Sequence, residues 1–114
     1  MNALMKQYPQ FFKNYLRGRD IEVGPGWIPI IEDMLYELVL ANTVVEFTQI
    51  KEKFGDLTMY YRGEPSQLAL TLMKLAREKA ASTCDQCGDR GQFYNYGWAQ
   101  VRCEKHSTAK PEDI

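Results

Sequence analysis

Cys84, Cys87, Cys103 and His106 stand as C-x2-C, fifteen intervening residues, then C-x2-H. The three cysteines of the chain and its one histidine all fall inside this pattern. Three thiolates and one imidazole form a standard closed donor set for a tetrahedral metal ion, above all zinc. An iron–sulfur cluster with the same ligands is a rarer use of the pattern, and three unliganded cysteines beside a surface histidine are the bland one. The run C-x2-C-G reads as a knuckle: a tight turn brings two thiolates to one ion, and Gly88 can take the positive φ that aims backbone N–H groups at sulfur. Catalytic zinc keeps an open coordination position. Four ligands fill this shell, and no second histidine remains to act as a base, so the pattern predicts a structural metal.

The segment between the ligand pairs, DRGQFYNYGWAQVR, predicts a turn, an aromatic run (Phe93, Tyr94, Tyr96, Trp98) and an alternating strand at WAQVR. A short hairpin there would return the chain so that Cys103 and His106 close the shell. Knuckle, hairpin and a ligand pair on a helical turn is the order of a treble-clef or ribbon-like zinc module.

Upstream, the spacing of apolar residues predicts three helices and a β-hairpin. The first helix is expected over 9–17, opened by Pro9. The second is expected to start at Trp27 and run to about Asn42. On a helical wheel Trp27, Ile30, Ile31, Met34, Leu35, Leu38 and Val39 fill one arc, and Glu32, Asp33, Tyr36 and Glu37 the other. Leu40 falls on the polar arc. Residues 43–62 predict a hairpin about a type II′ turn at Gly55–Asp56. That turn pairs Phe54 with Leu57, Glu52 with Met59 and Ile50 with Tyr61 on one face. The other face then carries Val45, Phe47, Gln49, Lys51, Lys53, Tyr60 and Arg62. The third helix is expected over 65–82, with Leu68, Ala69, Leu72, Met73, Leu75, Ala76 and Ala80 as its stripe and Leu70 on its polar side. Lys79 lies inside that stripe and would have to snorkel. The expectation is an α+β fold: helices packed on a small antiparallel hairpin sheet (1–83), a C-terminal zinc module (84–106) and a frayed tail (107–114).

With 114 residues the chain is long enough for one modest core, which a metal clip would reinforce. No apolar run is long enough for a membrane helix. The start, MNALMKQYPQFF, lacks the pattern of a secretory signal, so a cytoplasmic protein without membrane contact is expected. The net charge of −1 excludes an indiscriminate nucleic-acid binder. Residues 20–64 nevertheless hold nine acids against three bases. Lys51, Lys53, Tyr60, Arg62 and Trp98 are candidate binding residues. The first four would make a basic, aromatic-bearing strand face suited to phosphate or a single strand, unless it is simply a solvated face. Glu32, Asp33 and Glu37 read as a solvated helix surface.

The strings GWIPIIEDML, QIKEKFGDLTMYY, CDQCGDRG and GWAQVRCEKH resemble a group of small zinc-site proteins encoded by phages and prophages, over about residues 22–106. That family's hairpin pattern is QVKEKFGGLRFY. Here Ile50 replaces valine, Asp56 replaces the second glycine, and Thr58–Met59 replaces Arg–Phe, which weakens a nucleic-acid reading of the hairpin. The resemblance implies a phage accessory product, a class that includes inhibitors of host defence systems such as CRISPR effectors. The expected function is a non-enzymatic, zinc-stabilised protein that binds a host or phage protein through its acidic helix or through the hairpin and zinc module. The alternative is a nucleic-acid-binding zinc-finger protein using Lys51, Lys53, Arg62, Arg90 and Arg102. A nuclease of treble-clef ancestry ranks behind both, because the metal pattern uses the lone histidine.

Overall fold

The structure is a computed structural model and describes residues 3–95 and 99–107. Its elements are helices α1 (Ala3–Gln7), α2 (Ile28–Leu40) and α3 (Gln67–Ala80), and strands β1 (Glu46–Lys53), β2 (Asp56–Arg62), β3 (Gln92–Asn95) and β4 (Ala99–Arg102). The strands form two separate antiparallel hairpins, β1–β2 and β3–β4. Helices α2 and α3 pack against each other, and α3 lies against β2. The core contains Phe11, Trp27, Ile31, Leu35, Phe47 and Ile50, and reaches Val101 on β4. The mixture of helices and small hairpin sheets is the α+β class expected from the sequence. The tail beyond Ser107 and the aromatics Tyr96 and Trp98 lie outside the described residues.

The helix expected over 9–17 does not form. Only a 3₁₀ turn, Pro9–Phe11, stands there, and a separate helix, α1, precedes it. Three aromatics decide this. Phe11 and Phe12 both pack on Phe47, each with ring centroids 6.3 Å away. The Tyr15 hydroxyl accepts from the Ile50 backbone N–H at 2.7 Å and lies 3.1 Å and 3.2 Å from the carbonyls of Asp20 and Ile50. Burial raises the pKa of this phenol, although its hydrogen bond to Ile50 works the other way. The backbone then bonds to the strand rather than to itself: Leu16 donates to the Thr48 carbonyl, Glu22 donates to Ile50, and Glu52 donates to Glu22. This segment shields part of the β1 edge from pairing with another chain.

Helix α2 follows a 3₁₀ turn at Pro25–Trp27 and ends two residues earlier than expected. Asn42 takes φ 52° and Thr43 donates to the Leu38 carbonyl, which closes the helix by a left-handed cap. Five of the seven expected stripe residues are buried on the helix itself, while Val39 is exposed.

The β1–β2 register differs from the expected one. Phe54 and Gly55 form the two-residue loop with φ of 53° and 81°, as a type I′ turn requires. Lys53 therefore faces Asp56, Glu52 faces Leu57, and Ile50 faces Met59. The shift is by two residues, an even number, so each strand keeps its inward set and Ile50 and Leu57 are still buried. Glu52 sits on that face because its carboxylate accepts the Gly55 N–H at 2.6 Å. Phe54, expected beside Leu57, is instead exposed at the tip. A bulge between Phe47 and Gln49 rotates Phe47 out of its expected outer face and into the core.

Helix α3 begins one residue beyond Ser66, whose hydroxyl accepts the Ala69 N–H at 3.1 Å. Its buried face is narrower than the stripe expected: Ala69, Met73, Ala76 and Ala80 are buried, while Leu68 and Leu75 are exposed. Alanines at these positions let α3 come close to its neighbours, and Leu68 and Leu75 ride outside the contact. Leu70 packs against the core rather than on a polar side, and Lys79 lies outside the buried face.

Candidate metal centre

Helix α3 delivers the chain directly to the knuckle. Cys84 donates its backbone N–H to the Asp89 carbonyl at 2.7 Å, and Gly88 donates to the Cys84 carbonyl at 3.0 Å. Gly88 has φ 85°, the positive value expected of it. Strand β4 returns the second ligand pair, and His106 N–H closes a turn onto the Cys103 carbonyl at 3.1 Å. These two local turns bring four side chains from two stretches of chain to one point.

The donor atoms of Cys84, Cys87, Cys103 and His106 all lie within 4.8 Å of one another. Cys87 Sγ is 3.7 Å from Cys103 Sγ, and His106 Nδ1 is 3.7 Å from Cys84 Sγ and 3.2 Å from Cys103 Sγ. A tetrahedron built on Zn–S of ~2.3 Å and Zn–N of ~2.05 Å has edges of about 3.8 Å and 3.6 Å. The arrangement can hold one metal ion and is consistent with zinc. Cys84 and Cys103 are buried while Cys87 and His106 are exposed, so one side of the shell faces the core and the other faces solvent.

The surroundings prepare unequal thiols. Burial opposes ionisation of Cys84, but backbone groups of Cys103, Gln86 and Cys87 and the Cys103 thiol, all hydrogen-bonded to its sulfur, bring its pKa down to about 6. A backbone hydrogen bond from Asp89 favours the Cys87 thiolate. Desolvation and the neighbouring Cys103 and Cys84 sulfurs outweigh it, and the Cys87 pKa is pushed up to about 11.

Two contacts that the sequence did not signal hold the site in place. Asp85, almost fully buried between the first two ligands, accepts the Arg102 Nε–H at 2.8 Å, and Arg102 Nη1 lies 3.4 Å from the His106 carbonyl. This ion pair ties the knuckle to the second ligand pair. The segment Gly24–Trp27 is laid directly on the knuckle: Gly26 N–H donates to the Asp85 carbonyl at 2.9 Å and the Trp27 indole N–H to the Thr83 carbonyl at 2.8 Å. A Cβ on Gly26 would stand 2.1 Å from the Cys84 carbonyl oxygen. The sequence marks Trp27 only as the start of a helix, preceded by a turn-rich link; the role of 24–27 as a seat for the knuckle is tertiary.

The other candidate residues are distributed differently. Lys51, Lys53, Tyr60 and Arg62 do share one side of the β1–β2 hairpin, but acids are interleaved with them. Lys53 faces Asp56, Arg62 faces Glu46, and Lys51 lies near Glu22, whose carboxyl is held below its ordinary pKa first by its hydrogen bond from Arg19. Asp56 is also paired with Arg77 at 2.9 Å. Arg90 is exposed next to the knuckle, and Arg102 is committed to Asp85. Trp98 lies outside the described residues. Phe93, from the aromatic run between the ligand pairs, is half exposed, with its ring against Gly55 at the tip of the first hairpin.

No helix among the described residues is long and apolar enough to cross a membrane. The chain matches no known protein family, no curated protein and no solved structure.

Proposed function

We propose that this chain is a non-enzymatic, zinc-stabilised binding protein that docks on another protein through the α2–α3 face. Zinc is the ion the shell suits best, with three thiolates and one imidazole gathered within 4.8 Å of one another. Its role is to clip the chain ends of the β3–β4 module together. The four donors leave no coordination position for a substrate, and the lone histidine is one of them. The observation that carries the binding role is the exposure of Tyr36, Leu40, Leu68 and Leu75 (55%, 67%, 52% and 54%) on two adjacent helices. Single exposed leucines are ordinary, but a group of them on neighbouring elements is the mark of an interface. The phage and prophage resemblance of 22–106 supplies the biological setting: an accessory product that acts on a host or phage protein, such as an effector of host defence, by occupying its surface. The acids interleaved with Lys51, Lys53 and Arg62 weigh against the nucleic-acid alternative.

Affinity capture from host lysate with the zinc-loaded chain tests this reading. A protein partner retained by the native chain should be lost from the Leu40→Glu and Leu75→Glu variants, whose folds are unaffected because both side chains are mostly solvated. Capture unchanged by both variants would refute it, as would binding of nucleic acid alone with the steep salt dependence of phosphate contacts.

A further inference from the structure

Helices α2 and α3 run antiparallel, with Asp33 near Lys79 at one end and Thr43 near Ser66 at the other. Between them lies a groove of about 240 Å³ whose floor includes Ile30, Met34, Leu72 and Ala76. Leu68, Leu72 and Leu75 follow one another at i, i+4 and i+7 along α3, and Leu72 and Leu75 of this leucine stripe line the groove. Tyr36 stands on the opposite wall.

Charge distinguishes the two walls. Helix α2 carries Glu32, Asp33 and Glu37 and no base. Glu37 lines the groove and has no ionic partner among the described residues. Among the described residues Asp33 is met only by Lys79, at 4.0 Å, with both side chains largely solvated (71% and 64% exposed). An exposed pair of this kind is weak and easily displaced.

From this we infer that the groove receives a basic amphipathic helix of a partner protein, with apolar residues at i, i+3/i+4 and i+7 set against the leucine stripe and Lys or Arg set against Glu37 and Asp33. The inference rests on the protein-binding reading above and names the partner's chemistry. A helix fits because the groove follows α2 from Ile30 to Glu37, about 12 Å at ~1.5 Å per residue, enough for two turns of a partner helix. A second copy of this chain fits less well. A two-fold contact on this face would bring two acidic α2 walls together with only one base each to offset them.

The probes are three fluorescent peptides tested on the zinc-loaded full chain: an idealised Leu/Lys amphipathic helix, its Leu/Glu counterpart, and a scrambled Leu/Lys sequence with no apolar face. The Leu/Lys helix should bind at least ~10-fold more tightly than the other two, more weakly as salt rises. Glu37→Lys should weaken it by about 10-fold, and Leu75→Glu should remove it. Lys79→Ala should tighten it by about 2-fold, because it frees Asp33. Equal binding of the Leu/Glu or scrambled peptide overturns the inference, and so does an affinity unchanged by Leu75→Glu. Sedimentation of the chain alone separates the two levels of the argument. A dimer broken by Leu75→Glu overturns the basic-helix inference while the groove remains a protein interface. If Leu75→Glu alters neither peptide binding, self-association nor capture of a lysate partner, the binding reading falls as well.

Discussion

Gly26→Ala tests whether the metal module stands by itself or is seated on the rest of the chain. The alanine Cβ would lie 2.1 Å from the Cys84 carbonyl oxygen and 2.5 Å from the Gly88 nitrogen, both backbone atoms that cannot swing aside. Restoring ordinary contact at 3.4 Å requires the two segments to part by the difference from 2.1 Å, roughly 1.3 Å. That movement breaks the Gly26 N–H bond to Asp85 and the Trp27 indole bond to Thr83, now 2.9 Å and 2.8 Å. It also unseats Trp27, which is fully buried. Each hydrogen bond contributes about 1 kcal/mol, and leaving the indole N–H unpaired adds about 1–3 kcal/mol. The total is about 3–5 kcal/mol of lost stability. Because ligand geometry and seating are linked, part of this emerges as weaker metal binding; 2–3 kcal/mol of it corresponds to about a 30- to 150-fold loss of zinc affinity. A chelator-competition titration measures the affinity, and thermal melts with and without zinc measure the stability. Gly18→Ala is the control, since nothing lies within 4 Å of its Cβ position. Its left-handed φ predicts a destabilisation of about 1 kcal/mol without a change in zinc affinity. If Gly26→Ala binds zinc like the native chain and melts at the same temperature, the reasoning is refuted and the module is autonomous.

Arg102→Met leaves the buried Asp85 carboxylate without its cation and should destabilise the zinc-loaded chain by about 3 kcal/mol in chemical denaturation. Adding Asp85→Asn should recover much of that; equal loss in the single and double variants would count against the ion pair as the tie between the ligand pairs. Phe54→Asn should stabilise by about 0.5–1 kcal/mol, because asparagine accepts the left-handed position of a type I′ turn and the exposed phenyl buries little. A lower melting temperature would show that Phe54 is held by a contact at the tip. Zinc uptake at about pH 7.5 should release a full proton from Cys87 and hardly any from Cys84, which is already ionised there. The sign follows: the metal competes with protons for Cys84, so affinity rises with pH and does so more steeply below about pH 6, where Cys84 is protonated in the free site. Calorimetry in buffers of different ionisation heat checks the count, and a slope unchanged through that pH contradicts the assignment to Cys84.

The Cys3His cluster was legible because its geometry is local. Two x2 spacings and a glycine after the knuckle fix the ligand turns within a few residues, and the intervening hairpin only has to bring them together. The α2 helix was legible for a similar reason, since its buried residues recur at helical spacing. The errors arose where a distant part of the chain decided the local shape. Phe11, Phe12 and Tyr15 have helical spacing, yet the strand they pack on draws their backbone away from a helix. At the hairpin, KFGD contains two adjacent two-residue turns. Gly-Asp suits type II′ by composition, whereas the observed turn puts Phe54 in a conformation that sequence rules assign to asparagine or glycine. That choice gives the Glu52 carboxylate the Gly55 N–H and places Gly55 beneath the Phe93 ring, a contact between residues 38 apart in sequence that no window of residues reveals. The same logic explains α3. A stripe of leucines and alanines reads as one broad apolar face, but the close contact with the core is made by Ala69, Met73, Ala76 and Ala80, with Leu70 and Leu72 at its margin and Leu68 and Leu75 outside it. The leucines left outside are therefore a consequence of tight packing on the alanine side, and that consequence supplies the apolar wall on which the proposed function depends.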